Sequence, residues 1–240
     1  MRTICAILCA IIFVAILLSG CKKRDSDFPI PPPVFNPDLK YGSMTDQEGN
    51  VYKTITIGTQ TWMAENLRTI HYRNGLEINK VVDSTEWRKL KTGAYCDYNN
   101  TILTGGTLGK LYNGYTINDS LNIAPEGWHV PSGSEWTTLS DYLGGENVAG
   151  SKLEEAGTVH WVYGCASNES GFTALPGGLR DYTGFFSYIS TFGWWWSSTE
   201  YTENFYTNVF YTRSLCNFSE WFGKTYNGKT EGLSIRCIRD

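Results

Sequence analysis

Histidine, cysteine and carboxylate side chains all occur in this chain, yet the spacings that turn them into metal sites or activated nucleophiles do not. The histidines are His71, His129 and His160. A metal-binding helix places a second ligand at i+4 so that both point one way, and none of the three has such a neighbour. His129, set between Trp128 and Val130 just before Pro131, reads as a structural histidine. There is no Gly-x-Ser-x-Gly elbow, no His-Glu-x-x-His and no glycine-rich phosphate loop ending in Lys-Ser/Thr. Carboxylates are plentiful (Glu135, Asp141, Asp181, Glu200, Glu203, Glu220 and Glu231). A glycosidase needs two of them at a fixed separation, which sequence alone does not supply. Asp46 to Asn50 gathers oxygen atoms without the EF-hand order and reads as a turn. No metal and no cofactor is assigned.

Aromatic side chains are the remaining chemistry. They make up 15% of the chain, with 9 Trp and 15 Tyr. Cys216-Asn217-Phe218-Ser219-Glu220-Trp221-Phe222-Gly223-Lys224-Thr225-Tyr226 sets four of them in a polar, glycine-containing stretch. Loops on a rigid scaffold carry function disproportionately, and a large ring beside polar groups suits a flat sugar face or a protein anchor. Trp221, Phe222 and Tyr226 are therefore expected to meet the ligand, with Glu220 and Lys224 orienting it. The bland alternative is a late hairpin whose aromatics cover a sheet. Trp194-Trp195-Trp196 falls in an expected strand, where alternate rings face opposite sides, and is expected to pack the core.

The elements that must position these residues follow an N-terminal leader. Residues 1–20 begin with basic Arg2, run apolar over residues 4–18 and end in Ser19-Gly20 before Cys21. This is the anatomy of a secretory signal, too short to span a bilayer as a helix of about 20 residues. Leu18-Ser19-Gly20-Cys21 resembles a lipobox, in which the Cys thiol takes diacylglycerol and the chain is cut before it. Cys21 is thus the expected lipidation site. Two acyl chains suffice for stable anchoring, and Lys22, Lys23 and Arg24 would lie against anionic headgroups. Residues 21–40 turn Pro-rich (Pro29, Pro31, Pro32, Pro33, Pro37) and read as a stiffened tether holding the domain off the membrane. The whole chain is 41% hydrophobic, enough for a real core, and residues 41–240 form one domain. The net charge is −4, and losing Arg2 makes the remainder more acidic. A nucleic-acid partner, which would favour a basic patch, is not expected.

Cys5 and Cys9 leave with the signal, so Cys96, Cys165, Cys216 and Cys237 remain. Four cysteines in an exported chain suggest two disulfides with three connectivities open. We take Cys96–Cys237 and Cys165–Cys216, with four free buried thiols as the alternative.

Residues 51–57 alternate and are β-branched, Gly58-Thr59 turns the chain, and residues 60–63 return as a second strand. Residues 99–114 read as loop. Ser132 and Glu135 stand at capping-box spacing, and Trp136, Leu139, Tyr142 and Leu143 follow on one helical face until Gly144-Gly145. A shorter helix is expected over residues 149–155. Residues 172–175, 179–182, 194–198, 205–211 and 233–238 are expected strands. Strands at both ends with helices between imply an α+β domain with a mainly antiparallel sheet.

Longer phrases tie the chain to a family. Gly49-Asn50-Val51-Tyr52-Lys53-Thr54 is followed by Ile57-Gly58-Thr59-Gln60-Thr61-Trp62-Met63-Ala64-Glu65-Asn66-Leu67-Arg68. Then come Gly127-Trp128-His129-Val130-Pro131, Gly171-Phe172-Thr173-Ala174-Leu175-Pro176-Gly177-Gly178, Trp195-Trp196-Ser197-Ser198-Thr199-Glu200 and Ser234-Ile235-Arg236-Cys237-Ile238-Arg239-Asp240. Together they resemble the Fibrobacter succinogenes major paralogous domain family across residues 41–240. The resemblance implies an exported, often lipid-anchored domain without an established activity. It also implies a C-type-lectin-like fold with one or two short helices and long loops. Members often carry Cys-Pro before Gly-Trp-His, where this chain has Ala124-Pro125-Glu126. The calcium-dependent sugar motifs of lectin relatives are absent.

The expected function is a non-catalytic, lipid-anchored binding module in the cell envelope, at the outer membrane. Its partners would be the membrane, through Cys21, and a glycan or surface protein. A structural envelope protein and a carbohydrate-active enzyme using a carboxylate pair are the alternatives.

Overall fold

Alternation does most of the local work at the start of the domain. In Val51–Ile57 the buried residues are Tyr52, Thr54, Ile55 and Ile57, and Gly58, at φ +61°, turns the chain into Gln60–Met63. The computed structural model describes residues 29–164, 166–202 and 207–240. The expected signal, Cys21, Cys165, Glu203 and the start of the expected strand at 205–211 lie outside the described residues.

In order, the elements are β1 (Gly42–Thr45), β2 (Val51–Ile57), β3 (Gln60–Met63), β4 (Asn79–Lys80), α1 (Ser84–Trp87), β5 (Ala94–Cys96), α2 (Ile102–Leu108), β6 (Leu111–Asn113), β7 (Trp128–His129), α3 (Gly133–Tyr142), α4 (Glu146–Leu153), β8 (Leu179–Arg180), β9 (Phe186–Ser187), β10 (Phe192–Glu200), β11 (Val209–Cys216), β12 (Phe222–Gly228), β13 (Gly232–Leu233) and β14 (Ile238–Arg239). They build three sheets ordered β1-β2-β3-β14-β7, β10-β11-β12 and β4-β5-β6-β13-β8-β9. The strand pairs are antiparallel except β4 with β5. The domain is α+β and sheet-rich, with short helices. No helix among the described residues is long and apolar enough to cross a membrane.

Helix α3 starts as its sequence dictates. The Ser132 side chain accepts from the Glu135 N–H, and the Glu135 carboxylate accepts from the Ser132 N–H. Trp136 and Leu139 are buried beneath it. Other stretches depart from expectation. Residues 99–114 hold α2 and β6 rather than loop. Gly105 sits inside α2 because a Cβ there would meet Asp97 Oδ1 at 2.1 Å, and Asp97 is held by Lys80 and Lys110. The second helix comes earlier than residues 149–155, at Glu146–Leu153. Residues 172–175 form only an isolated bridge, because Thr173 is at φ +55° and the carbonyls of Phe172 and Thr173 turn to Arg236. The expected strand at 233–238 splits into β13 and β14 around that same arginine.

One buried hub joins four of the recurrent phrases. Asn66 Oδ1 accepts from Arg236 Nη2 at 2.9 Å and from Trp195 Nε1 at 2.9 Å, while its Nδ2 donates to the Leu108 carbonyl. Arg236 also donates to the carbonyls of Phe172 and Thr173, and is fully buried. A buried charge is tolerable when each of its donors finds an acceptor.

The proline-rich stretch is docked, not free. From Ile30 onward it lies against the domain as a strap. The Ile30 carbonyl accepts from Thr107 Oγ1, the Pro31 carbonyl lies 2.9 Å from His160 Nε2, and the Val34 N–H donates to Glu155 at 2.6 Å. Asn36 Nδ2 donates to the Asn168 carbonyl. Phe35, Leu39 and Tyr41 pack on the core around Trp62 and Phe172, and Lys53 Nζ sits 4.0 Å above the Phe35 ring.

Candidate functional site

The expected site lies on the β11–β12 hairpin, whose register pairs Leu215 with Phe222, Arg213 with Lys224 and Tyr211 with Tyr226. Phe222, Lys224 and Tyr226 share a face by alternation, but not one environment. Phe222 is 0% exposed, with its ring 5.8 Å from that of Trp136 and the Arg213 guanidinium 5.2 Å from its centre. Trp136 of α3 and helix α4, whose Gly150 N–H donates to the Glu220 carbonyl, cover that end of the strand, so Phe222 is a core residue and its expected ligand role is overturned. Further along, the face emerges. Lys224 Nζ stands 4.2 Å over the Tyr211 ring. Tyr226, 52% exposed, stacks on Tyr201 at 4.7 Å and 19°, and Tyr201 meets Tyr211 edge-on at 5.2 Å.

Trp221 belongs to the other face. Its indole lies over Gly223, where a Cβ would meet two ring carbons at 2.4 Å. The structure therefore separates Trp221 from Tyr226, while Glu220 is exposed beside Trp221. On Trp221's side, Trp194, Ser214 and Gly223 stand abreast on three strands, with Phe192 opposite Cys216. Phe192 and Trp194 stack at 4.9 Å and 13°, and Tyr188 meets both at 5.3 and 5.5 Å. Phe218 lies 5.7 Å from Phe192, and Tyr163 lies 6.0 Å from Phe218. Tyr188, Phe218 and Trp221 are 55%, 49% and 41% exposed. Sequence reasoning missed Tyr188, Phe192 and Tyr163. The one available signal was the i, i+2 spacing of Phe192 and Trp194, which puts both on one side of a strand.

The titratable groups are tied into structure. His129 lies 2.7 Å from Asp240 and 2.8 Å from Glu135 through its two ring nitrogens. Burial works against charging it, but the two carboxylates prevail and hold its pKa above the ordinary histidine value. His160 and Glu155 form a buried pair at 2.6 Å beneath the strap. Next to them, Glu154 is pushed up to about 8 by burial and by the Glu155 carboxylate. Asp181 holds the turn to Phe185, Glu200 pairs with Lys229, and Glu231 accepts from Asn227. A groove of about 260 Å³, lined by Lys40, Ser43, Thr56, Thr61 and Arg239 among others, contains no carboxylate side chain in its wall. Among the described residues no cluster of three or more His, Cys, Asp or Glu side chains could hold a metal.

Cys96, Cys216 and Cys237 are free thiols. The expected Cys96–Cys237 bond is overturned, because Cys96 packs with Val81 and Trp87 while Cys237 packs in a separate cluster with Met63 and Ile235. Burial pushes the Cys96 thiol up to about 12 and raises that of Cys237 as well. The partner expected for Cys216, Cys165, lies outside the described residues.

No curated protein and no solved structure matches the chain. The model of the Fibrobacter succinogenes major domain matches residues 55–239. That span holds the Asn66–Trp195–Arg236 hub, the His129–Glu135 contact and both aromatic faces, and with most of its length matched the chain belongs to the Fibrobacter succinogenes major domain family.

Proposed function

We propose that this protein is an exported lipoprotein, anchored at the outer membrane through diacylglycerol on Cys21, that presents a non-catalytic binding module for polysaccharide. The carrying observation is the emerging end of β11–β12. There Tyr226 has one ring face stacked on Tyr201 and is half exposed, with Lys224 clamped over Tyr211 beside it. A ring held in this way presents a rigid apolar surface at low entropic cost. The ammonium adds hydrogen-bond donors for hydroxyl groups. Glu135 in the cap of α3, Asp181 in its turn and Glu200 in its pair with Lys229 are committed to structure, which favours binding over hydrolysis. We read the scaffold as C-type-lectin-like, because β14 inserts between β3 and β7 and brings the ends of the domain together around long irregular segments.

The test is a screen of the mature lipidated chain, held in detergent, against bacterial, plant and host glycans. Saturable binding is expected, unchanged by calcium chelation, and lost in Tyr226→Ala/Lys224→Ala at an unaltered melting temperature. Undiminished binding by that double variant overturns the site. A blank from folded protein overturns the polysaccharide reading in favour of a protein partner.

A further inference from the structure

The strap ends its docked course at a particular edge. Ile30 lines a small cavity together with Leu108, His160, Pro176, Ile189 and Ser190, held by the Thr107 and His160 contacts of its own and the next carbonyl. Eight residues separate it from Cys21, a reach of roughly 30 Å when fully extended. Whatever holds Cys21 is therefore kept close to this edge.

The aromatic face begins at the same edge. The Val162 N–H donates to the Ser190 carbonyl at 3.0 Å, and Tyr188 stands two residues before Ser190. The Asn217 N–H meets the Thr191 carbonyl, which seats Phe218 on Phe192 and beside Tyr163. Val162, Tyr188, Phe218 and Trp221 are exposed, and the stacked Phe192 and Trp194 fill the space between. Contiguous exposed apolar surface of this kind marks a partner, and Tyr and Trp rings, apolar with a polar tip, suit the boundary of a bilayer.

We propose that this face rests on the bilayer that holds the chain's own lipid, an inference that depends on lipidation of Cys21. The short reach from Cys21 to Ile30 selects the bilayer over other occupants. A tether of that length holds the face at millimolar effective concentration beside the membrane, so a contact too weak for a free domain becomes occupied. None of the described side chains that form the face (Tyr163, Tyr188, Phe192, Trp194, Phe218 and Trp221) is cationic, and exposed Glu220 precedes Trp221 in the chain. Docking therefore rests on aromatic insertion and does not require anionic headgroups. The Tyr211–Tyr226 pair lies five residues along β11 from Cys216, roughly 17 Å away, and on the other side of the sheet from the proposed membrane face.

The experiment uses the mature lipidated chain in phosphatidylcholine vesicles. Flotation reads the anchor, and quenching of tryptophan emission by lipids brominated at a shallow acyl position reads the contact. The wild-type chain is expected to float and to be quenched. Tyr188→Ser/Phe218→Ser/Trp221→Ser is expected to float, keep its melting temperature and lose the quenching. A wild-type chain that floats unquenched overturns the docked face and leaves the anchor standing. A chain that does not float, with no lipid on Cys21, overturns the anchor and the docking with it. Quenching undiminished in the triple variant overturns the choice of residues, and quenching abolished by a soluble glycan reassigns the face to that glycan. Trp221→Phe alone, which keeps an aromatic ring, is expected to stay docked and serves as the conservative control.

Discussion

Phe222 and Tyr226 stand on one face of one strand, and their fates differ because of what packs above each. Truncating buried Phe222 to Ala should cost about 3–5 kcal/mol, as for other core aromatics. Trp221→Ala, at an exposed position, should stay near 0.5 kcal/mol. Chemical denaturation of both variants checks the contrast. Nothing in the sequence separates the two residues, because alternation reports the face and not the helix that covers part of it. Glu154 makes a second prediction. Its pKa is raised by burial and by Glu155, from 4.5 to about 8. The stability it contributes is therefore complete below about pH 4.5 and is lost as pH rises through about 8. Melting temperatures at pH 5 and pH 8 should differ less for Glu154→Gln than for the wild-type chain, with the variant more stable at pH 8.

At the scale of elements, the parts with local signals were legible and those fixed by distant partners were not. The hairpin β2–β3 and the capping box of α3 are written within a few residues. Helix α2 was hidden because Thr104, Gly105, Gly106 and Thr107 are poor helix formers, and Gly105 is required by the Asp97 carboxylate beside it. Gly105→Ala should therefore destabilise the protein despite the better intrinsic propensity of alanine, which thermal melting can test. The docking of residues 30–36 was not legible for a related reason. Proline content predicts stiffness, and the partners that dock it, Glu155, His160 and Asn168, lie more than 100 residues away. Glu155→Ala removes the acceptor of the Val34 N–H and the partner of His160. We expect a loss of about 3 kcal/mol and new proteolytic cleavage between residues 30 and 40.

Across the whole molecule, the phrases that identify the family serve architecture. Arg236, Asn66, Trp195, Phe172 and Thr173 converge on one buried network, which explains why recognising the family reached the fold class and stopped short of the ligand site. The aromatic faces use residues both inside and outside those phrases, and only the three-dimensional register of β10, β11 and β12 gathers them. Arg236→Met should strand several buried acceptors at about 1–3 kcal/mol each, and loss of the cooperative unfolding transition is the expected readout.

The closing strand β14 sits between β3 and β7, and Arg236 reaches Asn66 across 170 residues of chain. Contacts of such separation are slow to form. Neither the five-stranded sheet nor its buried network can be completed until the segment that carries Arg236 and β14 has been synthesised. On the export route proposed above, that delay would keep the nascent polypeptide threadable, the state a translocation channel accepts.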